Sequence, residues 1–162
     1  MKTMGAGETL AAVAKAKNKK AKLDLLTQNK RLGLTTLLKY SFDPQIEWLL
    51  PEGAPPYKEC KDLDIDHMLD AQAGTMYLFV RGERANPLAA TDQDTPEQRA
   101  RKRMKMEQKF AYLLEGLSPS DAQAVVNAKD KKLKGLDARL VDEAFPGLLS
   151  SLPEKSSGKE QA

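Results

Sequence analysis

The densest cationic stretch of this sequence, QRARKRMKMEQK, follows a strong helix start at Thr95-Pro96. Thr95 is a good N-cap, proline suits the first helical position, and a glutamine follows the cap by three residues. Successive helical residues lie about 100° apart, so basic side chains surround this helix end. Its cations are Arg99, Arg101, Lys102, Arg103, Lys105 and Lys109. The pattern suits phosphate contacts to DNA or RNA. The alternative is a solvated helix end that pairs with acidic residues of the chain.

Two further basic stretches suggest the same chemistry. KAKNKKAK places lysines on an alanine-rich helix, which favours electrostatic binding without base reading. Its lysines are Lys15, Lys17, Lys19, Lys20 and Lys22. KDKKLKG, residues 129–135, is predicted to be a basic loop between two helices. For both stretches the alternative is an ordinary solvated surface. The helix that carries KAKNKKAK has no large apolar anchors opposite its lysines, so we expect no membrane partner.

A stiff aromatic segment, FDPQIEWLLPEGAPPYK, offers a different function. It holds the only tryptophan and four of the nine prolines of the chain. Exposed aromatic side chains on a rigid frame lose little entropy on binding, which suits a protein-contact surface. The residues of that surface would be Trp48, Pro55, Pro56 and Tyr57. We favour the other interpretation, a core plug, because Ile46, Leu49 and Leu50 are too apolar to leave in water beside the tryptophan.

The residue types that serve catalysis and metal binding are scarce. The single cysteine, Cys60, excludes an internal disulfide and a zinc site built on several thiolates. The single histidine, His67, limits metal and acid–base chemistry further. The acidic group Asp62, Asp64, Asp66 and Asp70 does not form an EF-hand loop. Such a loop needs glycine at its sixth position and glutamate at its twelfth, where this chain has His67 and Ala73. We therefore expect no catalytic residue, no metal and no cofactor.

Charge is distributed unevenly along the 162 residues, although the formal net charge is only +3. Residues 1–39 carry a net +7, residues 40–98 a net −8 and residues 99–162 a net +4. This layout can present a basic face to a polyanion while the middle of the chain stays acidic. The length suits one domain, and no apolar run approaches the roughly 20 residues that span a bilayer.

Periodicity and capping signals predict the elements that carry these residues. We expect a helix over 8–28 broken near Asn18, a short buried helix ending near Ser41, and an acidic helix over 59–72. A long helix should run from Thr95 to about Leu117, followed by helices capped by Ser118 and Asp137. The predicted fold is mainly α, one compact domain of five to seven helices with room for one short strand pair.

Two segments are less regular. Asp43-Pro44 matches a helix N-cap followed by a first-position proline, and the residues after it fit either a helical turn or a short strand. TMYLFVRG fits either a strand or a buried helical turn. The predicted domain organisation is a flexible N-terminus over 1–7, a helical domain over 8–152 with a loop over 82–95, and a disordered tail over 153–162.

Several segments taken together, in order, resemble a known family. They are FDPxIxWLLPEGxPPYK, YLFVRG, KDKKL and LVxEAFPGL, within a resemblance that covers roughly residues 20–149. The family comprises small uncharacterised proteins of large contractile-tailed phages, notably myoviruses of marine and cyanobacterial hosts. The resemblance implies a phage gene product made in the bacterial host cytoplasm, and it transfers no site residue.

The sequence therefore predicts a non-enzymatic phage accessory protein that binds nucleic acid, or a machine that processes it, through its basic helical segments. The alternative is a protein–protein adaptor or minor virion component that contacts a phage or host protein through the Trp48 segment.

Overall fold

The computed structural model describes residues 5–53, 55–58 and 68–149. These residues form seven α-helices, one 3₁₀ helix and two short strands. The α-helices are α1 (Ala6–Lys15), α2 (Lys19–Gln28), α3 (Leu32–Phe42), α4 (Met68–Gln72), α5 (Pro96–Glu115), α6 (Pro119–Lys129) and α7 (Ala138–Ala144). The 3₁₀ helix spans Ala73–Phe79, and the strands are β1 (Glu47–Trp48) and β2 (Val80–Arg81). The predicted mainly α fold with a short strand pair is confirmed.

The helix boundaries follow local capping chemistry. Asn18 breaks the predicted first helix in two, and its side-chain oxygen accepts a hydrogen bond from the Ala21 N–H at 2.8 Å. The Asp137 carboxylate accepts from the Leu140 N–H at 2.8 Å, and the Ser118 hydroxyl caps α6. These caps are confirmed because each depends only on neighbouring residues. The first helix begins at Ala6, two residues before the predicted start.

The core lies around α6, which packs against α1, α3 and α5. The predicted apolar stripe is buried, from Met106 and Phe110 on α5 to Leu117, two residues after the helix ends. Phe110 meets Phe79 of the 3₁₀ helix edge-on, with ring centroids 5.2 Å apart. The basic half of α5 lies before this stripe begins.

A glycine lets α1 approach α6 closely. A Cβ on Gly7 would collide with the backbone carbonyl of Ser120, so a larger residue would push the helices apart. The Gly7 N–H donates to the buried carboxylate of Asp121 at 2.8 Å. This contact explains why the chain is already packed at residues 6–7, within the range predicted to be flexible.

The Trp48 segment forms the minor sheet. β1 and β2 are antiparallel, with Trp48 opposite Val80. The Trp48 side chain is only 9% exposed, and its indole N–H donates to the Tyr40 carbonyl at 2.9 Å. The Leu49 N–H donates to the Phe79 carbonyl at 3.0 Å and extends the pairing. The segment is thus packed onto the core, as the plug interpretation requires.

Of the two conformations left open after Asp43-Pro44, the helical turn and the short strand, the structure has the strand, and no helix starts at Asp43. Asp43 instead follows the end of α3, where its N–H donates to the Lys39 carbonyl. Its carboxylate accepts from the Gln45 N–H at 2.9 Å, a two-residue spacing that makes a turn. Pro51 leaves only a few residues for an element that starts after Pro44. Two of these residues, Glu47 and Trp48, are extended because they pair with β2.

The ambiguous run TMYLFVRG combines both predicted conformations. It is 3₁₀-helical as far as Phe79 and extended over Val80 and Arg81. At Gly82, with φ +105, a Cβ would collide with the Gln45 carbonyl. The chain can therefore leave the strand pair at this position only with glycine.

Part of the predicted acidic helix lies outside the described residues. This applies to Cys60, Asp62, Asp64, Asp66 and His67, and also to the tail over 153–162. Asp70 is described, and it joins α4 to α3. Its carboxylate accepts from the Gly33 N–H at 2.7 Å and lies 3.4 Å from Arg31 Nε.

Tyr40 gives the fold a pH-dependent component at high pH. The residue is 3% exposed, and burial, assisted by the nearby Glu83 carboxylate, raises the pKa of its phenol to about 12. The folded state thus favours the neutral phenol. This contribution is complete below the unfolded-state pKa near 10 and is lost as pH rises through the folded-state pKa of about 12.

We therefore expect the phenolate absorbance of one tyrosine to appear late in an alkaline titration of the folded protein. Tyr40→Phe should remove that late component. A titration curve that the substitution leaves unchanged would show that Tyr40 is not the shifted group.

Candidate nucleic-acid interface

The first half of α5 projects from the core as a basic rod. Its start is fixed by reciprocal hydrogen bonds, from the Gln98 N–H to Thr95 Oγ1 at 3.1 Å and from the Thr95 N–H to Gln98 Oε1 at 2.8 Å. Met106 is the first buried residue of the helix. At 1.5 Å per residue, the ten residues before it extend about 15 Å. The capping box therefore orders a helix end that the core does not cover.

The loop over 82–95 supports one side of this rod through Lys102. The Lys102 ammonium lies 2.8 Å from Asp94 Oδ2 and 3.4 Å from the Ala89 carbonyl oxygen. The hydrogen bond from Lys102, with a second from the Thr91 N–H, holds the pKa of Asp94 below its ordinary value. Lys102 is half-buried and its ammonium binds the loop, so it is not part of an exposed phosphate-binding face.

The other predicted cations of α5 are exposed. They are Arg99, Arg101, Arg103, Lys105 and Lys109. In the part of the chain that the structure describes, Lys102 is the α5 cation that pairs with an acid, and these five form no ion pair. The alternative of a helix end neutralised by the acidic middle segment thus applies to Lys102 alone among the described contacts. Arg101, Lys105 and Lys109 lie within about 80° of one another around the helix axis. Arg99 and Arg103 lie on roughly the opposite side, so exposed cations surround this part of α5.

Tyr112 lies on the side of α5 that carries Arg101 and Lys105, beyond the basic run of the sequence. Its side chain is 77% exposed. Eleven helical residues turn through about 1,100°, so Tyr112 lies within about 20° of Arg101 around the helix axis. The sequence indicates this exposure, because the apolar stripe places Phe110 and Leu113 on the buried side of the helix and Tyr112 on the opposite side.

The Lys15–Lys22 stretch forms a separate concave surface, which we call the lysine cleft. Its cationic side chains are Lys17, Lys19 and Lys22 at the junction of α1 and α2, and Arg139 on α7. They line a cavity of about 390 Å³ beside Gly135. Lys19 pairs with Glu143 at 2.7 Å, which lowers the free positive charge of the cleft.

The two remaining lysines of this stretch lie outside the cleft. Lys20 pairs with Asp24 one turn later, at 2.9 Å. Lys15 is exposed in the last turn of α1, where the helix dipole favours a cation. Isolated exposed lysines of this kind are ordinary features of a solvated helix.

The basic loop after α6 is only partly solvated, because its first residue is buried. The Lys129 side chain is 1% exposed, and its ammonium donates to the Pro51 carbonyl at 2.7 Å and to the Asp130 carboxylate. Asp130 accepts in turn from the Gly53 N–H at 3.0 Å. We call this pair the Lys129–Asp130 clamp. It fixes the proline-bounded segment to the end of α6 and removes Lys129 from any external interface.

The predicted protein-contact surface loses its aromatic anchor. Trp48 is buried, so its indole cannot meet a partner. Pro56 is exposed, while Pro55 and Tyr57 are half-buried. Pro55 and Pro56 line a cavity of about 180 Å³ whose wall includes Phe110. What remains of this surface is a small proline-lined recess.

Two further properties concern metals and membranes. Among the described residues, no cluster of three or more His, Cys, Asp or Glu side chains is placed to hold a metal ion. Within the same ranges, no helix combines the length and apolarity that a bilayer crossing needs.

Comparison with known proteins identifies a family. No curated protein matches the chain. A family model matches residues 9–135, a range that includes the lysine stretch, the Trp48 segment, all of α5 and the Lys129–Asp130 clamp. The family is described as one of unknown function, so it adds no activity or site residue. Since the match covers most of the chain, this protein belongs to the family of unknown function DUF6433.

Proposed function

We propose that this chain is a non-enzymatic accessory protein that binds nucleic acid through the exposed cations of α5, with the lysine cleft as a second contact. The observation that carries the proposal is the projecting half of α5. It is capped, basic and unpaired apart from Lys102 among the described residues.

Like-charged pairs outnumber opposite-charged pairs at four-residue spacing along α5, by three to two, the opposite-charged ones being Glu97–Arg101 and Arg103–Glu107. Arg99 and Arg103, Arg101 and Lys105, and Lys105 and Lys109 are like-charged neighbours four residues apart. Each such pair destabilises an isolated helix by about 0.2–0.5 kcal/mol. Phosphate groups would neutralise these charges and release counterions, which is the main favourable term in nonspecific binding.

The spacing of the cations suits a phosphate backbone. Four helical residues rise about 6 Å, so Arg101, Lys105 and Lys109 follow one another at roughly that interval along α5. Guanidinium groups can also contact phosphate oxygens in pairs. Contacts of this kind orient a protein on nucleic acid without reading its sequence. We therefore propose binding that is salt-dependent and nearly sequence-independent.

The resemblance described above suggests the biological setting. We propose a phage gene product that acts in the bacterial host cytoplasm, on the phage genome or on a machine that handles nucleic acid.

Charge reversal on α5 tests the proposed site. A variant with Arg101→Glu, Arg103→Glu and Lys105→Glu should bind labelled DNA at least about tenfold more weakly, because it loses three phosphate contacts. The salt dependence should also fall, by roughly one unit of slope for each contact. Circular dichroism should remain unchanged, because all three side chains are exposed.

The matched control reverses Lys30, Lys58 and Arg84, three exposed cations outside α5, the lysine cleft and the basic loop over 129–135. It changes the net charge by the same amount. If the control loses as much affinity as the α5 variant, binding follows total charge and the proposed site is wrong.

A further inference from the structure

Two apolar side chains stand among the cations on the outer face of α5. In the described residues, the large hydrophobic side chains that are exposed are Leu32, Met104 and Tyr112, and two of these three lie on this helix. Met104 is 60% exposed and Tyr112 is 77% exposed. The solvated face of an amphipathic helix usually carries polar and charged residues instead.

Helical geometry places these two side chains on the same face of α5 as Arg101 and Lys105. Relative to Arg101, Lys105 lies about 40° around the axis and Tyr112 about 20°, while Met104 lies about 60° to the other side. Along the axis, Tyr112 lies about 17 Å from Arg101. We call the face that carries Arg101, Met104, Lys105 and Tyr112 the outer face of α5.

A recess adjoins Tyr112 where this face meets the 3₁₀ helix. Its volume is about 320 Å³, within the usual range of small-molecule sites. Apolar side chains, Leu78, Phe79 and Leu113, form part of its wall. Polar groups that could meet the edges of a base come from Gln72, Thr75 and Lys109. A nucleobase has the same combination, an apolar face and polar edges.

We infer that the outer face of α5 binds single-stranded nucleic acid, with the Tyr112 ring stacked on an unpaired base and the neighbouring cations on the phosphates. This inference rests on the proposed function. Tyrosine has two side-chain torsions, so fixing its ring costs little entropy. A stacked ring accepts any base, in keeping with cation contacts that do not read sequence. In a duplex the base faces are covered by their neighbours, and Tyr112 has nothing to stack on.

The test compares single-stranded and duplex DNA of equal length by fluorescence anisotropy. Tyr112→Ala should weaken single-strand binding by roughly 5- to 150-fold, the range of one lost base stack, and should change duplex binding by less than about twofold. Tyr112→Phe keeps the ring and should retain most of the affinity. Leu32→Ala, at an exposed apolar residue on α3, is the matched control and should bind as the wild type does.

A single strand with abasic sites supplies the complementary ligand control, because it keeps the phosphates and removes the bases. It should bind the wild type and Tyr112→Ala equally.

The outcomes separate the inference from the proposed function. If Tyr112→Ala binds single strands as the wild type does, or loses affinity for both DNA forms alike, the stacking inference is overturned and phosphate binding by α5 stands. Absence of binding to either form at low salt overturns both.

Discussion

Replacing Trp48 with alanine is expected to lower the free energy of unfolding by about 3–5 kcal/mol, the usual cost of removing a buried tryptophan. The indole is 9% exposed and packs edge-on against Tyr40, with ring centroids 6.0 Å apart. Its N–H donates to the Tyr40 carbonyl at 2.9 Å, so the variant also leaves that carbonyl unpaired. Urea unfolding followed by circular dichroism measures the loss.

Trp48→Phe provides the control, because it keeps most of the apolar volume and removes the indole hydrogen bond. It should cost clearly less than the alanine variant. The result decides between the two interpretations of the proline-rich segment. If Trp48→Ala folds with nearly wild-type stability, the tryptophan is not a core anchor. That result would favour the interpretation in which Trp48 contacts a protein partner.

Breaking the Lys129–Asp130 clamp should have an effect of similar size. The two side chains are 1% and 5% exposed. Lys129→Met leaves the Asp130 carboxylate buried without its counter-charge, a change that typically costs about 3–5 kcal/mol. Asp130→Asn should be comparably harmful, because it leaves the buried ammonium uncompensated and weakens the hydrogen bond from Gly53.

The double variant Lys129→Met with Asp130→Asn sharpens this prediction. It contains no unpaired buried charge, so its loss of stability should be smaller than the sum of the single losses. Lys132→Met is the matched control, because the Lys132–Glu52 pair is 3.2 Å long but its side chains are 60% and 74% exposed. That control should unfold nearly as the wild type does. Simple additivity in the double variant would contradict a coupled clamp.

The parts of the fold that could be predicted from the sequence depend on local chemistry. Asn18, Thr95, Ser118 and Asp137 cap helices as expected, because a cap and its hydrogen-bond donor are at most three residues apart. The buried stripe of α5 was equally clear, since helical periodicity alone determines it.

Long-range contacts account for the parts that could not be predicted. Asp43 carries the residue types of a helix start, but pairing of β1 with a strand more than thirty residues later decides its conformation. Lys129 resembles its exposed neighbours in sequence, and its burial depends on the Pro51 carbonyl, which is 78 residues distant.

The candidate site shows the same division. The basic character and helical start of α5 were evident from the sequence. Lys102 could not be distinguished from the other cations without the loop that brings Asp94 to it. Tyr112 could have been found by continuing the helical projection beyond the basic run, which would have placed it on the face of Arg101.

The most direct test of the central claim is the salt dependence of DNA binding by the wild-type protein. Fluorescence anisotropy of labelled single-stranded DNA should show micromolar or tighter binding at low salt. If the exposed cations of α5 neutralise about four phosphates, the logarithm of the affinity should fall with the logarithm of salt concentration with a slope of about −3. Absence of binding at low salt, or an affinity that salt does not change, would contradict a nucleic-acid-binding function for this helix.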